Sequence, residues 1–252
     1  MTQQALLDHP LIEQRYFFPR TDPVPQPFWI ECNGAKLACV YHEVSVEAKT
    51  VIHFHGNGEV AADYLDGFPQ LIGQMGYNCL LAEYRGYGNS SGRPQLGRML
   101  QDIPEIIHAA GCPPKKLVLF GRSVGSLFAL KAAGLYPEVA GLILESAIAD
   151  LLERLLLRVN PGELGATLQE LEQAVSEQLD IQDILKNFSK PTLILHARHD
   201  GLVDVSHAER LADWCNGPVS LQIFPQGDHN DIMFVNGPQY FGLVKSFLER
   251  LP

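Results

Sequence analysis

The stretch Gly121-Arg122-Ser123-Val124-Gly125 places a serine on a turn that has a glycine on each side. An apolar run, 116–120, precedes the turn, and a helix-like segment, 126–131, follows it. This order of strand, tight turn and helix is typical of a nucleophile elbow, which exposes a serine hydroxyl at the end of a strand. We expect a side chain at either glycine to collide with the adjoining strand or helix, so the turn requires both.

The composition is that of an ordinary globular protein. The 252-residue chain is 46% hydrophobic and 19% charged, and we interpret residues 1–252 as one α/β domain. No apolar stretch approaches the length of a membrane span, so we expect no integral membrane association. Residues 1–8 have neither a basic region nor a long apolar core, and we expect a cytoplasmic protein. The formal net charge of −10 argues against nucleic acid as a partner.

The five cysteines are isolated in the sequence, and no Cys-x-x-Cys pair occurs. Their odd number and scattered spacing predict neither a disulfide framework nor a zinc site. Cys39 and Cys79 lie in strand-like runs, so we expect both to be buried thiols.

Short apolar runs and helical stretches alternate along most of the chain. The runs predict eight strands, at 28–31, 37–41, 50–54, 78–83, 116–120, 141–145, 191–196 and 219–224. The stretches predict helices that include 61–75, 96–110, 126–135, 208–216 and 240–251. Asn33-Gly34 predicts a hairpin turn between the first two strands, and Pro104 predicts a kink or restart in the second helix. This alternation predicts a mostly parallel sheet with helices on both faces.

A long insertion, 150–190, separates the sixth strand from the seventh and contains no strand-like run of its own. Its apolar residues step by four, three, four and four and so predict one face of a helix: Leu164, Leu168, Leu171, Val175 and Leu179. This face either packs on the body of the domain or covers the site. The position beyond the carboxyl ends of the strands favours a helical cap, because ligands of open α/β sheets bind there.

A serine hydroxyl becomes a good nucleophile when a base accepts its proton and a third group orients that base. Asp200 follows the seventh predicted strand, and His229 lies in the loop after the eighth. The order Ser123, Asp200, His229 therefore predicts a catalytic triad at the strand ends. Asp204 and Glu145 are alternative acids, although Asp204 is better placed to cap the next helix.

An oxyanion hole is expected from two backbone N–H groups, because negative charge develops on the carbonyl oxygen during acyl transfer. One donor is predicted at Val124, directly after the serine, and the other at Asn57, in the glycine-rich turn after the third strand. We expect His55 to order this turn through hydrogen bonds and Arg85 to be a structural loop residue. Arg122 either faces a substrate anion or points into packing.

Several of these segments together resemble the α/β-hydrolase superfamily and, within it, the branch of serine hydrolases that includes Bem46-like and ABHD17-like proteins. The resemblance covers roughly residues 50 to 250 and is carried by the segments 55–58, 83–92, 121–125, the Asp200 loop and 227–231. It implies an α/β-hydrolase fold with an eight-stranded, mostly parallel sheet and a helical cap insertion. It also implies a serine hydrolase with the predicted triad. The chemistry of that triad requires no metal or organic cofactor.

The sequence therefore predicts a serine hydrolase that cleaves a small-molecule carboxylic ester or thioester through an acyl-enzyme intermediate. Two alternatives stay open. In one, the same fold is a non-catalytic binding or scaffold protein whose cap docks a partner. In the other, His53 and His55 bind a metal in a metallohydrolase, because alternate residues of a strand point to the same face.

Overall fold

Eight strands form one sheet in the computed structural model, which describes residues 6–252. The order across the sheet is β1-β2-β4-β3-β5-β6-β7-β8. The strands are β1 Phe28–Cys32, β2 Ala35–His42, β3 Thr50–Phe54, β4 Asn78–Ala82, β5 Leu117–Arg122, β6 Gly141–Glu145, β7 Thr192–Ala197 and β8 Val219–Phe224. Strand β2 runs antiparallel to β1 and β4, and the remaining neighbours are parallel. The predicted α/β-hydrolase architecture is confirmed, with Asn33-Gly34 as the two-residue connection between β1 and β2.

Helices connect most of the parallel strands, precede β1 and follow β8, and they cover both faces of the sheet. The α-helices are Pro10–Tyr16, Phe68–Gln74, Leu96–Gln101, Ile103–Ala109, Gly125–Leu135, Leu151–Leu156, Leu168–Gln178, Ile181–Asn187, Ser206–Trp214, Ile232–Val235 and Gly237–Glu249. Short 3₁₀ helices occupy Ala61–Tyr64, Pro114–Lys116 and Pro161–Leu164. Within the described residues, no helix combines the length and the apolar character that crossing a bilayer requires.

Strand β5 shows why both faces of the sheet need a covering layer. All six of its residues are buried. Leu117 and Leu119 belong to one apolar cluster, whereas Val118 and Phe120 belong to a second cluster on the opposite face. The first cluster includes residues of the helix Gly125–Leu135, and the second includes residues of the helix Gly237–Glu249. A central strand without a polar face thus anchors the serine turn that follows it.

Two predicted helices are interrupted, each at a position with a physical cause. The prediction of one helix over 61–75 is wrong, because Gly67 adopts a φ of +111° between a 3₁₀ turn and the helix Phe68–Gln74. The stretch 96–110 is broken at Asp102, and a new helix begins at Ile103 with Pro104 in its first turn. The restart predicted at Pro104 is therefore present. Proline is tolerated there because the first N–H groups of a helix have no intrahelical acceptor.

The insertion after β6 is several short helices, so the prediction of a single apolar helical face is wrong. Gly165, with a φ of +66°, ends the turn that holds Leu164, and a new helix begins after the capping box of Thr167. Leu179 lies beyond the end of that helix. Leu168 is 52% exposed, whereas the other four apolar residues of the predicted face are buried.

The cysteines occur as free thiols. Cys39 and Cys79 are buried, as the sequence predicted, and burial raises the pKa of both thiols. These thiols therefore stay protonated at neutral pH.

Candidate active site

The turn after β5 holds Ser123 in a left-handed backbone conformation, with a φ of +52°. A Cβ at Gly125 would lie 2.0 Å from the carbonyl oxygen of Phe54, and a Cβ at Gly121 would lie 2.6 Å from the Cα of Ser126. Both flanking positions therefore require glycine, because the neighbouring backbone leaves no room for a side chain. The bend turns the serine away from the strand axis and towards the loops at the carboxyl end of the sheet.

The structure brings the three predicted triad residues into one hydrogen-bonded chain. The Oγ of Ser123 is 2.8 Å from the Nε2 of His229, and the Nδ1 of His229 is 2.7 Å from the Oδ2 of Asp200. Asp200 follows β7 and His229 follows β8, so neighbouring parallel strands deliver the two side chains to the same edge. All three residues are buried. A proton can therefore pass from the hydroxyl to the imidazole over a single hydrogen bond.

The carboxylate of Asp200 is held in its charged form. Its Oδ1 accepts hydrogen bonds from the backbone N–H groups of Leu202 and Val203, at 2.9 and 2.8 Å. Burial alone raises the pKa of Asp200, but the hydrogen bond and charge of His229 and these two N–H groups lower it overall. A charged Asp200 fixes the imidazole so that its Nε2 faces the serine.

The two alternative acids have other partners. Asp204 accepts a hydrogen bond from the backbone N–H of Ser206 at 3.0 Å, at the start of the helix Ser206–Trp214. Glu145 accepts a hydrogen bond from the Nε of Arg122 at 3.1 Å and another from the hydroxyl of Tyr240. Only Asp200, of the three candidate carboxylates, hydrogen-bonds to the imidazole within the described residues.

The two predicted oxyanion donors and Ser123 line one cavity, and this cavity has a volume of about 170 Å³. The side chain of Asn57 is tied to neighbouring residues, because its Oδ1 accepts hydrogen bonds from the backbone N–H of Phe18 and the hydroxyl of Tyr87 and its Nδ2 donates to the carbonyl of Tyr16. No residue within 6–252 accepts a hydrogen bond from the backbone N–H of Asn57 or of Val124. Both N–H groups are therefore free to bind an oxygen of a ligand.

The rings of His53 and His55 contact different groups, and the two residues do not form a pair of metal ligands. The His53 ring packs against three aromatic rings, those of Tyr64, Phe68 and Phe120. The Nε2 of His55 lies 2.7 Å from Glu83, and its Nδ1 lies 2.8 Å from the carbonyl of Gly56, so it orders the Asn57 turn. Across residues 6–252, the side chains form no group of three or more histidines, cysteines and acids that could hold a metal ion.

This fold is also found in known proteins. A family model described as serine aminopeptidase, S33, matches residues 46–164. The chain is 26% identical over 236 residues to α/β-hydrolase domain-containing protein 17B of Xenopus tropicalis, which covers 88% of this chain and 76% of that protein. The structure of Est1E from Butyrivibrio proteoclasticus, with ferulic acid bound, aligns with a TM-score of 0.74 at 18% identity, over 89% of this chain and 98% of that one. The chain has the α/β-hydrolase fold. Another structure with the α/β-hydrolase fold, an esterase of Pyrococcus furiosus, aligns with a TM-score of 0.71 at 19% identity, over 92% of this chain and 98% of that one.

Arg122 is a site residue of this α/β-hydrolase whose role the sequence left open. Its guanidinium donates a hydrogen bond to the carbonyl of His229 at 2.8 Å. It also pairs with Glu145 at 3.1 Å and with Glu59 at 2.5 Å. Burial lowers the pKa of Arg122, but Glu145 and Glu59 raise it overall, so the side chain is charged. Arg122 thus points into the protein and ties the elbow to the loop that carries the imidazole.

Arg85 is a structural residue of its loop, as the sequence predicted. Its guanidinium forms a two-point ion pair with the carboxylate of Asp102 and donates a hydrogen bond to the carbonyl of Asn33 at 2.7 Å. It therefore joins the loop after β4 to the hairpin turn and to the break between two helices.

The walls of the Ser123 cavity include residues that the sequence analysis of this α/β-hydrolase missed. Tyr16 and Phe18 come from the segment before β1, where the periodicity was too short to predict the helix Pro10–Tyr16. Arg154 and Arg158 come from the first part of the insertion. The sequence carries no local signal for these residues. Phe18 and Tyr16 reach the site through hydrogen bonds with Asn57, which form only in the folded structure.

A second cavity of this α/β-hydrolase, of about 300 Å³, lies on the other side of Arg122. Its lining combines apolar side chains with four carboxylates, those of Glu59, Asp63, Asp66 and Glu145. Two of these, Glu59 and Glu145, form ion pairs with Arg122. Arg122 and Asn230 line both cavities, so the cavities adjoin.

Proposed function

We propose that this α/β-hydrolase cleaves carboxylic esters or thioesters with Ser123, His229 and Asp200 as its catalytic triad. The hydrogen-bonded chain from Asp200 through His229 to the serine hydroxyl is the observation that carries the proposal. The left-handed backbone of Ser123 supports it as well. A strained conformation that neighbouring backbone enforces is typical of a functional position.

In the first half of the reaction, the Oγ of Ser123 attacks the carbonyl carbon of the substrate and its proton moves to the Nε2 of His229. The bond to the leaving oxygen or sulfur then breaks, and the leaving group takes that proton. The charged carboxylate of Asp200 stabilises the imidazolium that exists between these two steps. The products of this half are a free alcohol or thiol and an acyl group on Ser123.

The second half repeats the chemistry with water. The neutral imidazole removes a proton from a water molecule, which attacks the acyl carbon. The bond between that carbon and the Oγ of Ser123 then breaks, the Oγ takes the proton back from His229, and the acid leaves. In both halves the N–H groups of Asn57 and Val124 donate to the developing oxyanion. Loss of one such donor raises the barrier by about 2.7–4 kcal/mol in enzymes of this kind.

The insertion, 150–190, acts in this proposal as a partial lid over the serine. Arg154 and Arg158 contribute to the cavity wall, and Tyr16 and Phe18 complete it from the opposite end of the chain. A wall built from two distant segments limits the access of water to the acyl group and shapes the space for the substrate.

A second candidate is hydrolysis of a peptide at its amino terminus, which the description of the matching family model favours. The same triad chemistry cleaves amides. However, an ammonium group needs a nearby carboxylate, and among the described residues those carboxylates line the adjoining cavity and not the Ser123 cavity itself. The ester proposal therefore fits the cavity better, and aminoacyl p-nitroanilides provide the comparison.

A fluorophosphonate probe tests the proposed nucleophile, with Ser123→Ala as the key variant. Ser146→Ala is a matched control, because Ser146 is also a buried serine with a positive φ, of +46°. Its Oγ has no hydrogen-bond partner among the described residues, so its removal changes little else. We expect labelling of the wild type and Ser146→Ala and none of Ser123→Ala. Equal labelling of Ser123→Ala would overturn the proposal.

Substrate classes are compared by measuring kcat/KM for p-nitrophenyl acetate, butyrate and octanoate and for the matching thioesters. Turnover that disappears in Ser123→Ala supports the hydrolase. If none of the esters, thioesters or anilides is cleaved and the probe does not react, the binding-protein alternative is favoured instead.

A further inference from the structure

Two arginines in the wall of the Ser123 cavity lack anionic partners. Arg154 lies in the helix Leu151–Leu156, and Arg158 lies one helical turn further along the chain. Within residues 6–252, no carboxylate oxygen lies within 4.0 Å of either guanidinium. The Nε of Arg154 is buried and has no hydrogen-bond partner among these residues. A buried donor without a partner costs free energy unless a ligand supplies an acceptor.

The charge of this cavity is opposite to that of the chain as a whole. The protein has a formal net charge of −10, yet no aspartate or glutamate lines the Ser123 cavity. Nearby arginines are neutralised, since Arg15 pairs with Glu163 and Arg122 pairs with Glu59. The free positive charge is therefore concentrated at Arg154 and Arg158, where it attracts anions into the cavity.

The segment before β1 packs against Arg158. The guanidinium of Arg158 lies 5.7 Å from the centre of the Phe18 ring, and Arg15 donates a hydrogen bond to the carbonyl of Arg158 at 3.3 Å. Burial raises the pKa of the Tyr16 phenol to about 12, against the opposing effect of Arg154 and Arg158. The Tyr16 hydroxyl thus stays protonated close to both cations and can donate a further hydrogen bond.

We infer that Arg154 and Arg158 bind a carboxylate or phosphate group of the substrate while its ester or thioester carbonyl lies at Ser123. The guanidinium fork matches the paired oxygens of both anions, and both acids are ionised at neutral pH. This inference rests on the proposed function and narrows it to anionic acyl compounds. The charge is carried either by the acyl chain or by the leaving group.

Three thioesters distinguish these two positions. Butanoyl-N-acetylcysteamine is neutral, succinyl-N-acetylcysteamine carries a carboxylate on the acyl chain, and butanoyl-coenzyme A carries phosphates on the leaving group. Release of the thiol gives kcat/KM for each. We expect the wild type to prefer one charged thioester over the neutral one by about tenfold to a hundredfold, the range for a hydrogen-bonded charge.

The decisive variant replaces both arginines with glutamine, Arg154→Gln/Arg158→Gln. A second variant, Arg154→Lys/Arg158→Lys, keeps both positive charges but lacks the forked N–H donors of the guanidinium group. We expect the glutamine variant to lose the preference, so that its kcat/KM values for the charged and the neutral thioester agree within about twofold. The lysine variant should keep part of the preference. Arg250→Gln is the matched control, because Arg250 is an exposed arginine outside the Ser123 cavity and should retain the full preference.

Anion binding is measured separately, so that failure of the inference and failure of the proposed function stay distinct. Glutarate and inorganic phosphate are titrated into the wild type and Arg154→Gln/Arg158→Gln, and the shift in melting temperature is recorded. A shift with either anion that the glutamine variant lacks supports the inference even if no thioester is cleaved. Equal shifts, no shift, or an unchanged charge preference in the glutamine variant would overturn it.

Discussion

The guanidinium of Arg122 donates a hydrogen bond to the carbonyl oxygen of His229 at 2.8 Å, across the gap between the elbow and the last loop. The residue before Ser123 thus holds the loop that carries His229. Arg122 also neutralises the buried carboxylate of Glu145. Arg122 therefore holds the loop of the imidazole in position and also stabilises the buried carboxylate at the end of β6.

Replacing Arg122 with glutamine should destabilise the protein most at neutral pH. Removal of one partner of a buried ion pair costs about 3–5 kcal/mol. Burial raises the pKa of Glu145 above its ordinary 4.5, and Arg122 acts against this rise. Without Arg122, the carboxylate gains its proton more readily in the folded state, so stability is lost as pH rises through the folded pKa.

Urea unfolding of the wild type and Arg122→Gln at pH 4.5 and pH 7.5 measures this effect. The stability difference between the two proteins should be larger at pH 7.5. Arg122→Lys keeps the charge and should recover part of the stability, with slower fluorophosphonate labelling because the His229 loop is held less firmly. A difference that is the same at both pH values would contradict this account of Glu145.

Replacing Asp200 with asparagine should lower kcat by roughly ten-thousandfold, because the amide favours the wrong imidazole tautomer. Asp204→Asn is the matched control four residues away, since Asp204 caps a helix and does not contact His229. It should keep its activity and lose at most about 2 kcal/mol of stability. Similar kcat losses in both variants would mean that Asp200 acts through the loop and not through the imidazole.

The stability of Asp200→Asn has its own pH dependence. Because the pKa of Asp200 in the folded state lies below its ordinary 3.8, its contribution to stability is present above that pH. The contribution is lost as pH falls through the folded pKa. Acid unfolding of the wild type should therefore be steeper below pH 4 than that of Asp200→Asn, as followed by circular dichroism.

Most of the sheet and the order of the triad could be predicted from the sequence, because apolar runs and strand ends leave local signals. The strand before Ser123 is continuously apolar, and the parallel strands β7 and β8 place Asp200 and His229 at the same edge of the sheet. The roles of Arg122 and Arg154 could not be predicted. Each depends on contacts between segments distant in the sequence, which residue type and spacing do not reveal.

The helical insertion shows the limit of periodicity. The apolar steps from Leu164 to Leu179 fit one helix, but Gly165 and the capping box at Thr167 divide the segment. Local start and stop signals therefore outweighed the apolar spacing. In the same way, the left-handed turn at Gly67 divided the stretch 61–75.

Replacing Gly125 with alanine should prevent folding, whereas Gly242→Ala should be tolerated. The Cβ at position 125 would overlap the carbonyl oxygens of Phe54 and His55, at 2.0 and 2.6 Å. Those atoms belong to β3 and its turn and cannot move without breaking the sheet. Gly242 lies in the helix Gly237–Glu249 with open space around it, so alanine should add up to about 1 kcal/mol of stability. Soluble yield and melting temperature report both outcomes, and a stable Gly125→Ala protein with wild-type labelling would refute the steric argument.

Replacing His53 with phenylalanine should make stability less sensitive to mild acid. Burial among three aromatic rings lowers the pKa of His53 well below its ordinary 6.5, with further lowering by His55 and Arg122. Below pH 6.5 the unfolded chain therefore binds a proton at His53 that the folded protein excludes, and the wild type loses about 1.4 kcal/mol per pH unit at this position. A phenylalanine ring preserves the aromatic packing and cannot titrate. Urea unfolding at pH 7.0, 6.0 and 5.0 should thus give a shallower decline for His53→Phe than for the wild type, and parallel declines would show that His53 accepts its proton within the folded core.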